Sequence, residues 1–470
     1  MRMLIKFGRL FSAMPMAVSA DDVGDWTTAE ESGEEEVIME SLDVWPYFRH
    51  MNEWGRERYS DEAVSDLVFN SFGQQRIERV KMSDAAAPPG ATYAVYLNFL
   101  VGLETRPGFA KLGADAYFAA DQRLLAIAVG PSLYVPAGPA GTSRRCREVW
   151  DDDTLSHDTQ CGSYELGWSH AKSAFRGSLL CAVTLIEHLT FLHLGMGNAL
   201  VTATVESLPP DHPIRRLVTP FGYRTVSVNT AAAGFLTAEF GALHRATPLT
   251  AAGIMAGFEY AKTDRTGFSS ASPLLQYASK DIDELELPLH RDGTDYFNIL
   301  SNFSREYIDL YYPTGTCADD EDLVRWYTQI ESLFGGRYGS LPAPLDCKRL
   351  IDLLATAMFY VTAMHRFVGN LPSEASDPCF APMARREGQV CGPPRTMLDQ
   401  AALFQGTGSP QPLITEDYSH VLLDDDGRRV WQQMTSRMVE FGVEVNARNL
   451  YRKRPFTVFD PARIEVSIAI

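Results

Sequence analysis

The most apolar part of the chain lies between Leu179 and Ala203, where hydrophobic residues continue with almost no polar face. A surface helix keeps one polar side, so this run predicts a helix in the core of a large helical domain. Two histidines, His188 and His193, interrupt the run five residues apart. On an ideal α-helix such a step turns about 500°, which leaves the two rings about 140° apart. One inserted π-type turn would align them, and such turns concentrate at functional sites.

A second apolar helix, predicted over Asp346–Phe367, repeats this feature. It ends near His365, and Asn370 follows that histidine after five residues. A single histidine in such a helix is more often a core residue whose ring bonds a neighbouring carbonyl. Three histidines on two apolar helices favour a metal site. The sequence leaves both interpretations, core histidines and metal ligands, open at this point.

Helical patterns cover most of the remaining chain. The central helix is predicted to end near Pro209 and Pro210, because proline cannot continue a helix. Without an internal repeat or a shift in composition, we predict a mostly α protein, with a single large helical domain over 45–470 and a leader with an acidic tail over 1–44. The other predicted helices lie within Ser41–Gln75 and over Tyr93–Leu103, Asp115–Ile127, Tyr296–Tyr312 and Asp322–Phe334.

The charge balance excludes one class of partner. The 470 residues carry a formal net charge of −18, and so acidic a surface repels the phosphates of nucleic acid. No apolar run is long enough to span a bilayer free of charges or histidines. We therefore expect no transmembrane segment, while transient contact with a membrane surface stays open.

The compartment also stays open. Basic residues precede the short apolar segment Leu10–Val18, and Val18–Ala20 resembles a secretory cleavage site. Three cysteine couples would suit disulfides in an exported protein, while reduced thiols in the cytoplasm are equally consistent with the sequence. The couples are Cys146 and Cys161, Cys317 and Cys347, and Cys379 and Cys391, and Cys181 lies within the central helix.

The available donors narrow the choice of metal. Imidazoles with oxygen donors suit iron or another first-row ion, and the chain lacks the HExxH and paired CxxC motifs of common zinc sites. After Glu465 the chain ends at Ile470 without another charged side chain. Such an apolar end would bury its own carboxylate, and a bound cation would offset the cost. A solvated, frayed terminus is the alternative.

Several blocks along the chain occur in the order that is characteristic of one enzyme family. They are Trp168–Lys172, His188 with His193, His212–Ile214, Arg224, Val228–Asn229, Leu287–Gly293, Arg305–Tyr307, Tyr311–Pro313, Asp322–Leu323 with Trp326, Arg448–Asn449, Pro455–Phe456 and the terminal Ile470. From about Trp168 onward the chain resembles the lipoxygenase family. The resemblance implies a short form, made of the catalytic domain without the family's N-terminal β-barrel.

The resemblance also implies a ligand set. The metal would be held by His188, His193, His365 and the carboxylate of Ile470. The family's fourth side-chain ligand usually stands four residues after the third histidine, where this chain has Gly369. Either Asn370 reaches the metal through a local bulge or water fills the position.

Two further positions depart from the family pattern. Thr184 stands where a glutamine is common four residues before the first ligand, and a second expected glutamine falls near Pro372. Groups outside the ligand shell orient the ligands and tune their reactivity. These changes therefore leave an altered chemistry open.

Three substrate-binding positions follow from the resemblance, counted from Asn229. The residue that controls stereochemistry is Ala232, and in this family alanine there generally goes with S products. The aliphatic residues that flank the reactive carbon fall on Leu236 and Leu243, although core packing alone would also account for both leucines.

The resemblance implies a non-haem iron dioxygenase that inserts O₂ into polyunsaturated fatty acids to give (S)-hydroperoxides. We expect a monomer with one iron per chain and no catalytic residue beyond the metal centre, and manganese accepts the same ligands. The alternative is an enzyme of this fold with altered chemistry, either hydroperoxide isomerisation or oxidation of a specialised metabolite. A metal-free binding protein that kept only the fold is a third possibility.

Overall fold

A computed structural model of the chain describes residues 60–136, 148–151, 156–159, 163–264, 282–335, 341, 344–369, 380–387, 389–390, 392–393, 396–397, 399–400, 403–404 and 411–469. The predicted acidic tail and leader lie outside these residues. The described part is mostly helical, as the sequence predicts. Its helices are α1 (Asp61–Phe69), α2 (Ser163–Ala182), α3 (Asn198–Ser207), α4 (Pro213–Val218), α5 (Thr225–Phe235), α6 (Ala242–Ala246), α7 (Ala251–Asp264), α8 (Pro288–Tyr311), α9 (Glu321–Ile330), α10 (Cys347–Phe359), α11 (His365–Gly369) and α12 (Asp425–Asn449).

Three π-helical segments interrupt these helices. The central π segment (Val183–Gly197) joins α2 to α3, and the second π segment (Tyr360–Met364) joins α10 to α11. The third, Glu331–Gly335, continues α9. The central helix, Gly167–Ser207, contains the central π segment. It is long and apolar enough to cross a membrane, but 89% of its most apolar window is buried inside the protein. Burial of this kind is what a core helix of a helical domain requires.

The core surrounds the central π segment. Because its side chains are apolar on nearly all sides, α5, α7, α11 and the second π segment all pack against it. The long amphipathic helix α8 packs against α10 and α12 on another side of the domain. Asp292 on α8 is fully buried and accepts hydrogen bonds from Arg448 and Arg452, at the end of α12. This ion cluster holds the last helix, and the C-terminal segment after it, against the domain.

The predicted helix over Asp115–Ile127 is wrong, and the one over Tyr93–Leu103 is wrong except for a short 3₁₀ helix at Asn98–Gly102. These stretches contribute to a five-stranded antiparallel sheet in which each strand pairs with the next along the chain. The strands are β1 (Ile77–Arg79), β2 (Tyr93–Val95), β3 (Asp115–Phe118), β4 (Leu124–Val129) and β5 (Ser132–Tyr134), and a separate hairpin holds β6 (Glu148–Asp151) and β7 (Ser156–Thr159).

The error has a physical cause. Both faces of the sheet are covered: β4 packs against α1 and α2 on one side, and Tyr117 and Ala126 pack with Val80 and Ala87 on the other. A strand that is buried on both faces loses its alternation of polar and apolar residues, and a short apolar run of this kind cannot be told from a buried helix by period. A turn with Gln122 at φ 69° separates β3 from β4.

One of the three cysteine couples forms a disulfide. Cys317 and Cys347 are bonded with their Cα atoms 5.2 Å apart, which ties the start of α10 to the turn before α9. Cys181 is a buried free thiol in α2. The other two couples, Cys146 with Cys161 and Cys379 with Cys391, lie outside the described residues.

Candidate metal centre

The two histidines of the central helix lie on the same side of the central π segment. In a π-helix the hydrogen bonds run from residue i to residue i+5, so residues five apart align along the axis. The Nε2 atoms of His188 and His193 are accordingly 3.2 Å apart. The alignment that the five-residue spacing requires is therefore present.

Local contacts support the widened helix. The hydroxyl of Thr190 donates to the carbonyl oxygen of Leu185, five residues back, at 2.6 Å, and so satisfies an acceptor inside the widened ladder. At the end of the segment, a Cβ added to Gly197 would lie 3.0 Å from side-chain atoms of Ile468 and Thr225. Glycine therefore lets both the C-terminal segment and α5 approach the histidine helix closely.

The third histidine, His365, is the first residue of α11 and follows directly after the second π segment. The Nε2 atom of His365 is 3.0 Å from that of His188 and 3.1 Å from that of His193. Thr362, within the segment, donates its hydroxyl to the carbonyl oxygen of Met358 at 2.6 Å. The fold thus brings together three imidazoles that are far apart in sequence, with their Nε2 atoms converging on one point.

Burial keeps these imidazoles neutral. It lowers the pKa of His193 to about 4. Burial, followed by the neighbouring imidazoles, holds the pKa of His188 and of His365 well below the usual histidine value. Neutral imidazole offers one nitrogen lone pair, which is the form that binds a metal.

The spacing of the three nitrogens fits a first-row metal ion. With metal–nitrogen bonds of about 2.1 Å, ligands at right angles lie about 3.0 Å apart and tetrahedral ligands about 3.4 Å apart. The observed separations of 3.0, 3.1 and 3.2 Å lie within this range. Three imidazoles would leave further positions for oxygen donors, a combination that suits iron or manganese.

Asn229 contacts one of the three histidines, which the sequence did not reveal. Its carboxamide oxygen lies 2.8 Å from Nδ1 of His193, on the side of the ring away from the other histidines. Asn229 is buried on α5, a helix without charged residues. The sequence placed Asn229 in one of the characteristic blocks, but that signal did not identify its partner.

The sequence also did not reveal the contact of Glu187, the charged residue next to His188. Glu187, directly before His188, is 2% exposed and pairs with Arg76, which comes from the short helix before β1. Nothing in their sequence positions links two residues that lie 111 positions apart. This pair brings one negative and one positive charge to the back of the histidine helix.

The fourth-ligand position faces the histidines. A Cβ added to Gly369 would lie 3.1 Å from Nε2 of His188, so the residue four positions after His365 points into the cluster. Asn370 lies outside the described residues. Thr184, which stands at the usual glutamine position, has a buried hydroxyl without a hydrogen-bond partner among the residues that the structure describes.

The C-terminal segment enters the protein interior. Ile468 and Ala469 are 0% and 2% exposed, and the hydroxyl of Ser467 donates to the carbonyl oxygen of Tyr223 at 2.9 Å. Glu465 pairs with Arg366, the residue after His365, at 3.1 Å. Ile470 itself lies outside the described residues, and the segment up to Ala469 is neither frayed nor solvated.

The three predicted substrate positions lie on or next to α5 and α6. Ala232 is half-buried on α5, the helix that contacts His193 through Asn229. Leu236 is half-buried directly after the end of α5, and Leu243 is fully buried on α6. The backbone N–H of Leu243 donates to the carbonyl oxygen of Leu236 at 3.1 Å, so the fold brings these two leucines together. Because Leu243 is fully buried, core packing remains a sufficient explanation for that residue.

Comparison with known proteins supports one family. The family model "Lipoxygenase" matches residues 116–369, which is more than half of the chain and includes all three histidines. The chain belongs to the lipoxygenase family. Family membership accounts for the order of the sequence blocks and for the helical fold with its two histidine-bearing core helices.

Individual relatives of this lipoxygenase are distant. The mouse "Polyunsaturated fatty acid lipoxygenase ALOX8" is 24% identical over 327 residues, which cover 64% of this chain and 48% of the relative. The human "Hydroperoxide isomerase ALOXE3" is 24% identical over 338 residues, which cover 65% of this chain and 46% of the relative. The chain thus spans about half the length of the curated relatives it matches.

The fold resembles that of solved lipoxygenases. A lipoxygenase variant crystallised anaerobically in complex with arachidonate aligns with a TM-score of 0.76 at 16% identity, covering 100% of this chain and 74% of that one. At this identity the similarity establishes the fold alone.

Proposed function

We propose that this lipoxygenase is a non-haem iron dioxygenase that inserts O₂ into polyunsaturated fatty acids. The observation that carries the proposal is the convergence of three neutral imidazoles, with Nε2 separations of 3.0–3.2 Å, inside the apolar core. His188, His193 and His365 would hold the iron. When bound, the iron supplies the one-electron chemistry that oxidises a bis-allylic C–H bond. The hydrogen and both oxygen atoms end in the hydroperoxide, so the reaction consumes no external reductant.

The chain's own residues would position the substrate. Helix α5 carries no charged side chain, and Ala232 and Leu236 would line the path of the aliphatic chain next to the histidines. The carboxylate of Ile470 would supply the negative charge that three neutral imidazoles lack, which favours the more highly charged state of the metal. Asn370 or water would complete the ligand set, and manganese could occupy the same ligands. We propose that the domain over 45–470 acts as a monomer on one fatty acid and O₂.

A second candidate function is hydroperoxide isomerisation. It is favoured by Gly369 at the fourth-ligand position and by the hydroxyl of Thr184, which has no partner within the part of the chain that the structure describes, because groups around a metal tune its reactivity. The similarity to a hydroperoxide isomerase is consistent with this candidate.

Oxygen uptake distinguishes the two candidates. The purified protein is incubated with linoleate or arachidonate while O₂ consumption and conjugated-diene absorbance are recorded, and its metal content is measured. The dioxygenase proposal predicts both signals and one iron per chain. Consumption of an added fatty acid hydroperoxide without O₂ uptake would favour the isomerase, and stoichiometric zinc or a metal-free protein would contradict both candidates.

Ala232→Gly is expected to move the product from the S toward the R hydroperoxide, at a shifted carbon. Removing the methyl group opens space for O₂ beside a different end of the substrate radical. Chiral chromatography of the products measures the shift. The exposed Ala233 on the same helix provides the control, since Ala233→Gly has a similar cost in helix propensity, about 0.5–1 kcal/mol, without facing the substrate. A racemic or R product from the unmodified protein would contradict the assignment.

Extending the chain beyond Ile470 is expected to remove both metal and activity while the helices stay folded. The segment up to Ala469 is buried, so added residues would displace the terminal carboxylate from the interior. Iron content, turnover and circular dichroism are measured on proteins with added C-terminal residues. Ile470→Val keeps the carboxylate in place and should keep the metal. Full iron and full turnover in the extended protein would exclude the terminus as a ligand.

A further inference from the structure

Asn229 makes three hydrogen bonds, and together they connect α5 to the histidine helix. Its side-chain nitrogen donates to the carbonyl oxygen of His193 at 2.8 Å and to the side-chain oxygen of Asn198 at 2.7 Å. Its side-chain oxygen lies 2.8 Å from Nδ1 of His193. Both Asn229 and His193 are at least 95% buried, so water does not compete for these bonds.

These contacts determine which nitrogen of His193 carries the proton. Both hydrogens of the Asn229 amide group are engaged by oxygen acceptors, so the amide oxygen must face the ring. An oxygen at this distance requires a donor, and Nδ1 of His193 therefore bears the hydrogen. The lone pair then resides on Nε2, the atom that faces His188 and His365.

The same residue fixes the position of α5. Asn229 stands three residues before Ala232, so both lie on one side of the helix. Thr225 and Asn229 are the buried residues of α5. The backbone bond to His193 and the bond to Asn198 on α3 therefore hold this side of α5 in register with the central π segment.

We propose that Asn229 is a positioning residue that fixes the tautomer and rotation of His193 and ties α5 to the metal site. The proposal rests on the metal site of the proposed function. It separates two roles within one side chain: the oxygen orients the ligand, while the two N–H groups stabilise the fold. Loss of the side-chain oxygen should therefore lower metal affinity, and loss of the two N–H groups should lower the stability of the fold.

The test uses variants that remove these roles one at a time. Asn229→Leu removes all three bonds, Asn229→Asp keeps the acceptor for Nδ1 but loses both donors, and Asn198→Ala removes one acceptor of the amide. Co²⁺ serves as the probe, since its affinity is measured by competition with a chelator and its visible spectrum reports the coordination. The thermal midpoint of each metal-free protein is measured in parallel.

We expect Asn229→Leu to weaken Co²⁺ binding by about 10–100-fold and to change the spectrum, because loss of a group that orients a ligand typically has this effect. Asn229→Asp and Asn198→Ala should bind Co²⁺ within about threefold of the unmodified protein, although both melt at a lower temperature. Co²⁺ binding that is unchanged in Asn229→Leu, despite a lower midpoint, would overturn the proposal. So would an equal loss in Asn229→Leu and Asn229→Asp.

The outcome is distinguishable from failure of the proposed function. Absence of fatty acid oxygenation by the unmodified protein would contradict the dioxygenase, but the comparison of Co²⁺ affinities would still decide the role of Asn229. If the unmodified protein bound no Co²⁺, both proposals would fail together, since neither survives without a metal site.

Discussion

His365→Ala is expected to abolish metal binding and turnover while leaving the helices folded. His365 is 1% exposed, and its Nε2 lies 3.0 and 3.1 Å from the other two imidazole nitrogens. Removing a ligand nitrogen should weaken metal binding more than removing a group that only orients a ligand. We therefore expect metal affinity to fall by more than the roughly 10–100-fold that is typical of such groups. Metal analysis after gel filtration and oxygen uptake with linoleate measure the two losses.

The control for this prediction is a histidine outside the cluster. His420 is exposed on a short helical turn, and His420→Ala should keep both metal and activity. Circular dichroism of the His365→Ala protein tests whether the helices persist. Retention of one iron per chain by a folded His365→Ala protein would exclude His365 as a ligand.

Asp292→Ala is expected to destabilise the protein by about 1.5–3 kcal/mol, because it removes the fully buried carboxylate that accepts charged hydrogen bonds from two partly exposed arginines, of which Arg448 keeps Asp295 as a partner. Asp292 is 0% exposed and accepts bonds from Arg448 at 2.8 Å and from Arg452 at 2.7 and 2.9 Å. Removing one partner of a buried ion cluster lowers the free energy of unfolding more than losing a surface ion pair does, since a surface pair contributes about 0–1 kcal/mol. Urea unfolding followed by circular dichroism measures the change in the free energy of unfolding.

A neighbouring carboxylate supplies the matched control. Asp295 lies one turn later on α8, is 36% exposed and also bonds Arg448, at 2.6 Å. Asp295→Ala should therefore cost no more than about 1 kcal/mol. Equal losses for the two variants would show that burial does not control the strength of this cluster.

The cluster also bears on the metal site through the end of the chain. Next to Arg448, the side chain of Asn449 bonds both the backbone N–H of Phe456, at 2.8 Å, and its carbonyl oxygen, at 3.2 Å. Phe456 packs against Phe367, which lies two residues after His365, with ring centroids 6.3 Å apart. We expect Asp292→Ala to weaken metal binding as well, because it loosens the segment that leads to Ile470.

The helical class and the histidine helices followed from sequence because local pattern carries that information. An apolar run with no polar face predicted the central helix, and the five-residue step between His188 and His193 required a π-type turn. The pattern near His365 predicted a second dry helix. The residues that follow these helices, such as Pro209, also act locally, since a proline beyond the first turn of a helix removes a backbone hydrogen bond and stops the helix.

Only the tertiary structure decided the features that depend on residues far apart in the chain. The sheet was mistaken for helices because both of its faces are buried, and burial on both faces erases the period that identifies a strand. No spacing rule connects Glu187 to Arg76 or His193 to Asn229. The sequence by itself determined which helices carry the imidazoles. Packing of the second π segment and α11 against the central π segment decided that three Nε2 atoms meet, because a side-chain contact depends on how helices dock and not on the period within either one.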